Sequence, residues 1–389
     1  MRLLVVSAYF PPAWSWGGQA SAAWTLCRGL ARAGADVEVV TTDADMEGWV
    51  EVPRRRREAG MTIYTARVPR PSGGVGRRYG LAPGCVATLW RRTRGPELAL
   101  LQGMWSLPCA VAARICRWRA LPYVICPHGM LESLSLSEKA GKKRLYLRLF
   151  GRRAVAGAAA IQFASEDERR RSAAVSGAVP SFVEANTIEF HPLVAVDSGE
   201  LRERLGLPRA GRLVGIAGRL HPRKGFDVIV PALAQAPDEI RLVSFGADEA
   251  AYRRKIVELA RAHGVEARVQ FLGQLEGEAL QQAYAALDLL VMPSHGESFG
   301  NTALEALAQG TPALVSDRVP LGEYISRHGL GAVVDGLDPR AWGRAVEREA
   351  RRREAAERRR ISERVRADFD VELAGRRLLE RYRRLTESR

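Results

Sequence analysis

Long apolar runs are missing from this chain. None approaches the ~20 residues that a helix needs to cross a bilayer, so a soluble or peripheral protein is expected. The first residues, MRLLVVSAYFPPAW, are apolar only briefly and stop at Pro11-Pro12 without a small-residue cleavage site. They read as a buried strand and not as a secretory leader. Cysteine is scarce and odd in number, and Cys27, Cys85, Cys109, Cys116 and Cys126 include no CxxC pair. That argues against a disulfide scaffold and a cysteine-rich zinc site, and suits a reducing cytoplasm. Cys126 and His128 stand close together, yet two ligands without partners do not make a metal site. The GxxxxGK[ST] phosphate loop and the GxGxxG dinucleotide fingerprint are also absent, which removes the common NTPase and dehydrogenase readings.

What is present is an ordinary globular composition, 47% hydrophobic and 26% charged. At 389 residues the chain exceeds what one core usually organises, so two domains of similar size are expected. The net charge of +15 is unevenly placed: residues 1–190 hold 27 Lys and Arg against 15 Asp and Glu, residues 191–389 hold 32 against 29. A basic first half fits a nucleic acid, an anionic membrane surface or a phosphate-rich ligand. An arginine-rich composition accounts for it equally well.

Short strand-like runs alternate with helix-length segments, the pattern of parallel sheets with crossover helices. Strands are expected at 3–9, 37–42, 98–103, 123–126 and 160–165, then in a second series at 212–218, 240–246, 268–273, 287–294 and 312–317. Two doubly wound units joined near 185–200 follow, with EANTIEFHPLVAVDSGE as the punctuated linker. DPRAWGRAVEREARRREAAERRR reads as one charged helix, and Asp370 caps a last helix carrying Leu373, Leu378, Tyr382 and Leu385.

In open α/β sheets ligands bind beyond the carboxyl ends of strands, so the loops there carry the chemistry. SHGESFGNTALEALAQG places Glu297 in a loop after a strand and Glu305 one turn inside the following helix. Backbone N–H groups at Phe299, Gly300 and Asn301, at the helix start, suit hydroxyl or phosphate oxygens. A ligand with hydroxyls at both ends and phosphates between them, a nucleotide sugar, fits this spacing. Read alone, the pair also fits a solvated loop Glu and a helix-surface Glu. GRLHPRKGFDVI sets Arg219 and Lys224 beside another helix start, where two cations neutralise a departing diphosphate without metal. Gly17-Gly18 lies between the first strand and its helix, and His128 directly follows a strand. A Gly pair is also the default turn, and a single His is more often structural. Asp43 and Asp45 have the DxD spacing of metal-diphosphate sites, but a polar loop after a strand explains them.

Assembled, these loops resemble the retaining glycosyltransferases of family 4. The likeness rests on Glu297 to Glu305 within HGESFGNTALEAL, on GRLHPRKG, on Gly17-Gly18 and on PHGML, and takes in nearly the whole chain. It implies the GT-B architecture: two facing Rossmann-like doubly wound domains, with a C-terminal helix crossing back to the first. Residues 1–190 would form the acceptor domain, 191–368 the donor domain and 369–389 the returning helix. By the resemblance, Arg219 and Lys224 hold the donor diphosphate, with UDP or GDP the expected carrier, and Glu305 binds the ribose. Glu297, with Ser298, Phe299, Gly300 and Asn301, holds the transferred sugar; Gly17 and Gly18 lie against the distal phosphate; His128 contacts the sugar near the reacting carbon; Gly273 and Leu275 frame the base. No tightly bound cofactor and no metal are implied. The acceptor oxygen attacks from the face the nucleotide leaves, the leaving phosphate takes its proton, and domain closure completes the site.

Two positions depart from the family pattern. Thr187 stands in ANTIEF where a Gly is usual, and Gln102 in LLQGMW where relatives often have His. The resemblance implies a cytoplasmic enzyme of surface or exopolysaccharide synthesis, acting on a saccharide or polyprenyl-diphosphate-linked acceptor. Arg144, Arg148 and Arg152 form a ridge in SEKAGKKRLYLRLFGRR that reads first as a solvated helix face, and otherwise as a surface for an anionic leaflet or a polyprenyl-diphosphate acceptor. A nucleotide-sugar epimerase of the same fold and a non-catalytic nucleotide-sugar sensor are alternatives. A nucleic-acid binder lacks a known reading motif and interleaved aromatics.

Overall fold

The computed structural model describes residues 1–389 except 47, 133–140, 142–145, 195–197, 208, 352 and 388–389. Arg144 of the basic ridge lies outside the described residues; Arg148 and Arg152 are exposed. The chain forms two units, residues 1–189 with 369–389, and residues 190–368.

The first unit is built on the strands β1 (Arg2–Ser7), β2 (Asp36–Thr42), β3 (Arg55–Glu58), β4 (Met61–Ala66), β5 (Leu98–Gln102), β6 (Tyr123–Cys126), β7 (Ala160–Phe163) and β8 (Ser181–Val183). They lie in the order β3-β4-β2-β1-β5-β6-β7-β8, parallel except for β3. The opening run forms β1 because it is apolar on both faces, as a central parallel strand must be. Leu3 and Val5 point into a core with helices Gly18–Arg32 and Val371–Glu387, while Leu4 and Val6 point into one with helices Gly84–Arg92 and Leu107–Trp118. The β3–β4 pair departs from the all-parallel expectation. Its charged RRRE segment is an antiparallel edge strand, where exposed arginines discourage further pairing.

The second unit uses β9 (Arg212–Ala217), β10 (Ile240–Phe245), β11 (Val269–Gly273), β12 (Leu289–Met292), β13 (Ala313–Ser316) and β14 (Gly331–Val334), all parallel in the order β11-β10-β9-β12-β13-β14. Its strand order reverses between β9 and β12, and that of the first unit between β1 and β5. In open α/β sheets ligands bind beside the loops that leave the strands on either side of such a reversal. A buried ion pair from Arg202 to Asp288, 2.6 Å, pins helix Ser198–Arg204 to the start of β12.

Two helical expectations need correction. The charged segment after Asp338 is not one helix but two, Pro339–Glu349 and Ala355–Phe369. Trp342, Val346 and Ala350 are buried in the core, and the carbonyls at the break are capped by arginines: Arg212 donates to Glu347 at 3.0 Å and Arg353 to Glu349 at 3.1 Å. In the last helix Asp370 accepts from the Glu372 and Leu373 amides, but Leu373 is 47% exposed and Leu379 takes the core position.

That last helix belongs to the first unit, where it crosses helix Gly18–Arg32 at Gly29 and Gly375. A Cβ on Gly375 would overlap the Gly29 carbonyl, and one on Gly29 the Val371 carbonyl. Arg377 adds an ion pair to Glu184 at 2.7 Å. No helix among the described residues is long and apolar enough to cross a membrane. Overpacking a backbone contact costs about 1–3 kcal/mol. Gly375→Ala is accordingly expected to lower the stability of the first unit by that amount in chemical denaturation, with the second unit's transition unchanged.

Candidate functional site

In the second unit, the loop after β9 begins at Gly218 (φ 114°), whose carbonyl lies so close to Gly246 that only glycine fits the latter. Arg219 is exposed and Leu220 is buried. His221 Nδ1 accepts from the Arg223 amide at 3.2 Å and starts a tight turn, Pro222–Lys224, that ends at left-handed Gly225 before helix Phe226–Leu233. A Cβ on Gly225 would collide with the Pro293 carbonyl, so this turn is pressed against the end of the β12 strand. His295 N–H donates to the Arg223 carbonyl at 2.9 Å, and Arg223 returns a bond to the Gly296 carbonyl at 3.2 Å.

This contact brings the two expected donor-site residues face to face. Lys224 Nζ donates to Glu297 Oε1 at 2.8 Å, and Ser294 Oγ donates to the same oxygen at 3.0 Å. An ammonium has three donors, and this pair uses one. Burial pushes the Glu297 carboxyl up, but the charge and hydrogen bond of Lys224, the Ser294 hydroxyl and the charge of Arg223 outweigh it, and the net shift is below the usual carboxylate range. Glu297 is therefore ionised at neutral pH.

Gly300 (φ 123°) packs under Val319 and precedes helix Asn301–Ala308, in which its carbonyl accepts from Ala303 and Leu304. Ser298, Phe299 and Asn301 already engage other groups of the chain, and Phe299 is buried. Glu305 sits half-buried in that helix and accepts from Tyr284 Oη at 2.6 Å. Its carboxyl is shifted upward, by burial above all, with the Tyr284 bond and the Lys224 charge opposing. Sequence reasoning missed Tyr284 and Ser294. Gly273 (φ 73°) ends β11 and its carbonyl accepts from Gly246 at 2.8 Å; Leu275 beyond it is half-buried.

In the first unit, Gly17 (φ 64°) separates the turn Trp14–Trp16 from helix Gly18–Arg32, and open space lies where its side chain would be. His128 holds a left-handed φ of 50°, uncommon for a residue with a side chain. Its Nε2 lies 2.8 Å from Gln102 Oε1, so Gln102, at the end of β5, accepts from Nε2–H and leaves Nδ1 as the acceptor side of a neutral ring. Burial lowers the His128 pKa to about 4. The ring is uncharged at pH 7.

A carboxylate that sequence reasoning did not single out holds this loop in place. Glu168 is 1% exposed and bridges two strand ends, accepting from the Gly129 amide through Oε1 and from the Ala164 amide through Oε2 at 2.7 Å. Its own amide is capped by Ser165 Oγ at 3.0 Å. The available signal was the Ser165-x-x-Glu168 spacing, a helix-start box whose glutamate here reaches past its own helix to Gly129. Burial raises the Glu168 pKa to about 7, against the two amide bonds and with help from Glu132.

The remaining candidates serve the scaffold. Asp43 is buried, accepts from the Val68 amide at 2.7 Å and pairs with Arg67 and Arg70 at 3.3 Å, so it is more than the polar loop expected. Asp45 bonds Ser15 and the Met46 amide. All five cysteines are free and buried. Among the described residues no group of three or more His, Cys, Asp or Glu is placed to hold a metal ion.

Glu168 makes a pH dependence measurable. Its folded pKa, about 7, lies above the ordinary 4.5, so between those values the native state holds more proton than the unfolded chain and stability falls as pH rises. The span corresponds to roughly 3 kcal/mol. Glu168→Gln cannot titrate, so the stability of wild type relative to this variant should decline by up to that amount from pH 4.5 to 7 in urea titrations. A constant difference would show that Glu168 titrates normally.

Comparison with known proteins gives this geometry a family. The family model described as Glycosyl transferases group 1 matches residues 197–368, and that described as Glycosyl transferase 4-like domain matches residues 17–187. The chain is 40% identical over 169 residues to the D-inositol 3-phosphate glycosyltransferase of Xylanimonas cellulosilytica, covering 42% of this chain and 40% of that protein. The protein of the same name from Rhodococcus erythropolis is 29% identical over 246 residues, 59% of this chain and 55% of that one. The chain thus matches about two fifths of the length of the first of these relatives. Among solved structures, sucrose-phosphate synthase from Thermosynechococcus elongatus superposes with a TM-score of 0.78 at 23% identity over 100% of both chains. Anabaena HepE, solved with UDP and glucose, gives 0.75 at 19% identity over 98% of this chain and 99% of that one. At such identities the likeness is one of fold. With two parallel-sheet α/β units of the GT-B architecture and both family models matched, the chain belongs to the group 1 glycosyltransferases of family 4.

Proposed function

We propose that this protein transfers a sugar from a nucleotide-diphosphate sugar to a saccharide acceptor, with retention at the anomeric carbon. The observation that carries the reading is the Lys224–Glu297 pair at the strand-order reversal of the second sheet, with Glu305 one turn along the next helix. In this reading the diphosphate takes donors of Lys224 beyond the one given to Glu297, together with Arg219. Glu297, kept ionised, accepts from hydroxyls of the transferred sugar beside the backbone of residues 298–301, and Glu305, held by the Tyr284 hydroxyl, accepts from the ribose. Gly273 and Leu275 frame the base, and Gly17-Gly18 lies against the distal phosphate. His128, neutral, serves as a hydrogen-bonding contact to the sugar and not as a cation.

In the transfer, the bond from the acceptor oxygen to the anomeric carbon forms as the bond to the leaving phosphate breaks. The acceptor proton passes to that phosphate, so no protein nucleophile is needed, and fixed cations at the diphosphate stabilise the developing charge. No divalent ion enters this scheme. The reading is supported by relatives named as glycosyltransferases and by fold neighbours solved with UDP and with UDP-glucose. A surface or exopolysaccharide acceptor, saccharide or polyprenyl-diphosphate-linked, completes the proposal, with action in the cytoplasm or on the inner membrane face.

Calorimetric titration with UDP, GDP, ADP and dTDP, each with and without EDTA, tests the donor site. One nucleotide is expected to bind independently of metal, with Lys224→Ala and Glu305→Ala each weakening it by about tenfold or more, the cost of losing a charged hydrogen bond. Absence of binding by all four overturns the reading. Product analysis with saccharide acceptors and with D-inositol 3-phosphate, the compound in the relatives' names, then separates transfer from epimerisation, which needs no acceptor.

A further inference from the structure

The first unit exposes a pair of tryptophans that neither the fold nor the donor site uses. Trp118, the last residue of helix Leu107–Trp118, is 69% exposed, and Trp90, near the end of helix Gly84–Arg92, is 41% exposed. Their rings stack on each other, centroids 4.9 Å apart. Arg119 lies against both, its guanidinium carbon 4.5 Å from the Trp90 ring and 5.8 Å from that of Trp118. Tryptophan is seldom left this open to water, and two adjacent exposed rings mark a contact surface.

The surrounding charge says what kind. Residues 73–122 contain eight arginines and a single acidic residue, Glu97. Arg91, Arg114 and Arg117 are exposed on the same two helices. Beneath the rings, Nε and Nη1 of Arg119 are shielded from water and have no hydrogen-bond partner among the described residues. The charge of Arg119 faces the Trp90 ring, which fixes the two indoles in place.

We propose that this patch docks the protein on an anionic lipid surface. Indole rings settle at headgroup depth, their apolar bodies inward, while the exposed guanidinium groups of Arg91, Arg114 and Arg117 meet lipid phosphates. A single strand of nucleic acid suits the patch less well, because successive bases need several open ring faces and Trp90 is already engaged by both Trp118 and Arg119. Both tryptophans stand at helix ends, and so at the edge where β5 and β6 begin. Gly17 and His128 leave the opposite edge, roughly a strand length or 15 Å away. Lipid held at the patch leaves those loops uncovered. The surface is distinct from the Arg148 and Arg152 segment and does not depend on the donor reading.

Co-sedimentation in about 0.1 M salt with vesicles of phosphatidylcholine alone, or mixed with phosphatidylglycerol, tests the proposal. Wild type should pellet with the mixed vesicles and not with phosphatidylcholine alone. Trp90→Ala/Trp118→Ala and, separately, Arg91→Glu/Arg117→Glu should each reduce that partition about tenfold or more, with thermal melts checking that both variants fold. The exposed arginine pair provides a second test if the tryptophan pair proves destabilising. Equal pelleting with both lipids, or variants that pellet like wild type, overturns the proposal. So does loss of binding on Arg148→Glu/Arg152→Glu with the tryptophan variant unaffected. Binding of a single-stranded oligonucleotide that the patch variants abolish, without vesicle binding, would reassign the surface. Nucleotide titrations of the same variants should match wild type, so failure here is separable from failure of the donor site.

Discussion

Everything in the second unit's candidate site follows from one backbone contact, Gly225 against the carbonyl of Pro293. It brings the turn after β9 onto the end of the β12 strand, and the amide of His295 and the guanidinium of Arg223 tie the loops on either side. Only then does Lys224 reach Glu297. Any side chain at position 225 would push the turns apart and face a left-handed backbone as well. The ion pair is thus a product of close packing first and of charge second. Its energetic role is asymmetric, because each partner alone would be a partly buried, uncompensated charge.

Two carboxylates of the candidate sites, Glu297 partly buried and Glu168 buried, behave in opposite ways. Glu297 has a cation and two side-chain donors and is held ionised. Glu168 is more deeply buried, accepts from neutral amides and lies near Glu132, and its affinity for protons rises. The difference is one of neighbours and of burial. The first holds a fixed negative charge against Lys224, and the second ties down the Gly129 amide beside the left-handed His128.

Much of the fold was legible because central parallel strands are apolar on both faces and announce themselves as runs, as in LLVV and LDLLVM. The strand-end loops were legible for the same reason. Contacts set by tertiary packing were not. RRRE reads as solvent-exposed and becomes a strand only because MTIYTA lies beside it. The break between Glu349 and Ala355 depends on arginines reaching helix carbonyls, one of them from β9. The Lys224–Glu297 and Tyr284–Glu305 bonds join residues 73 and 21 apart, which spacing alone does not pair. Glu168 was hidden differently, since its local helix-start signature masks a bond to a residue 39 positions away.

The Gly29–Gly375 crossing bears on how the molecule is made. It joins a helix from the opening of the chain to one that emerges after the entire second unit has been synthesised. The second unit has its whole sequence in hand and can complete its core while the first waits, its apolar helix Gly18–Arg32 lacking a partner over Gly29. Closing so long a loop adds little entropy beyond that of a shorter one, because the cost grows only logarithmically. The burden falls on time, during which an unfinished first unit has an apolar face to shield from aggregation. A paired glycine seam, narrow and specific in register, is well suited to a late docking step, since it accepts the returning helix in one position and rejects bulkier strangers.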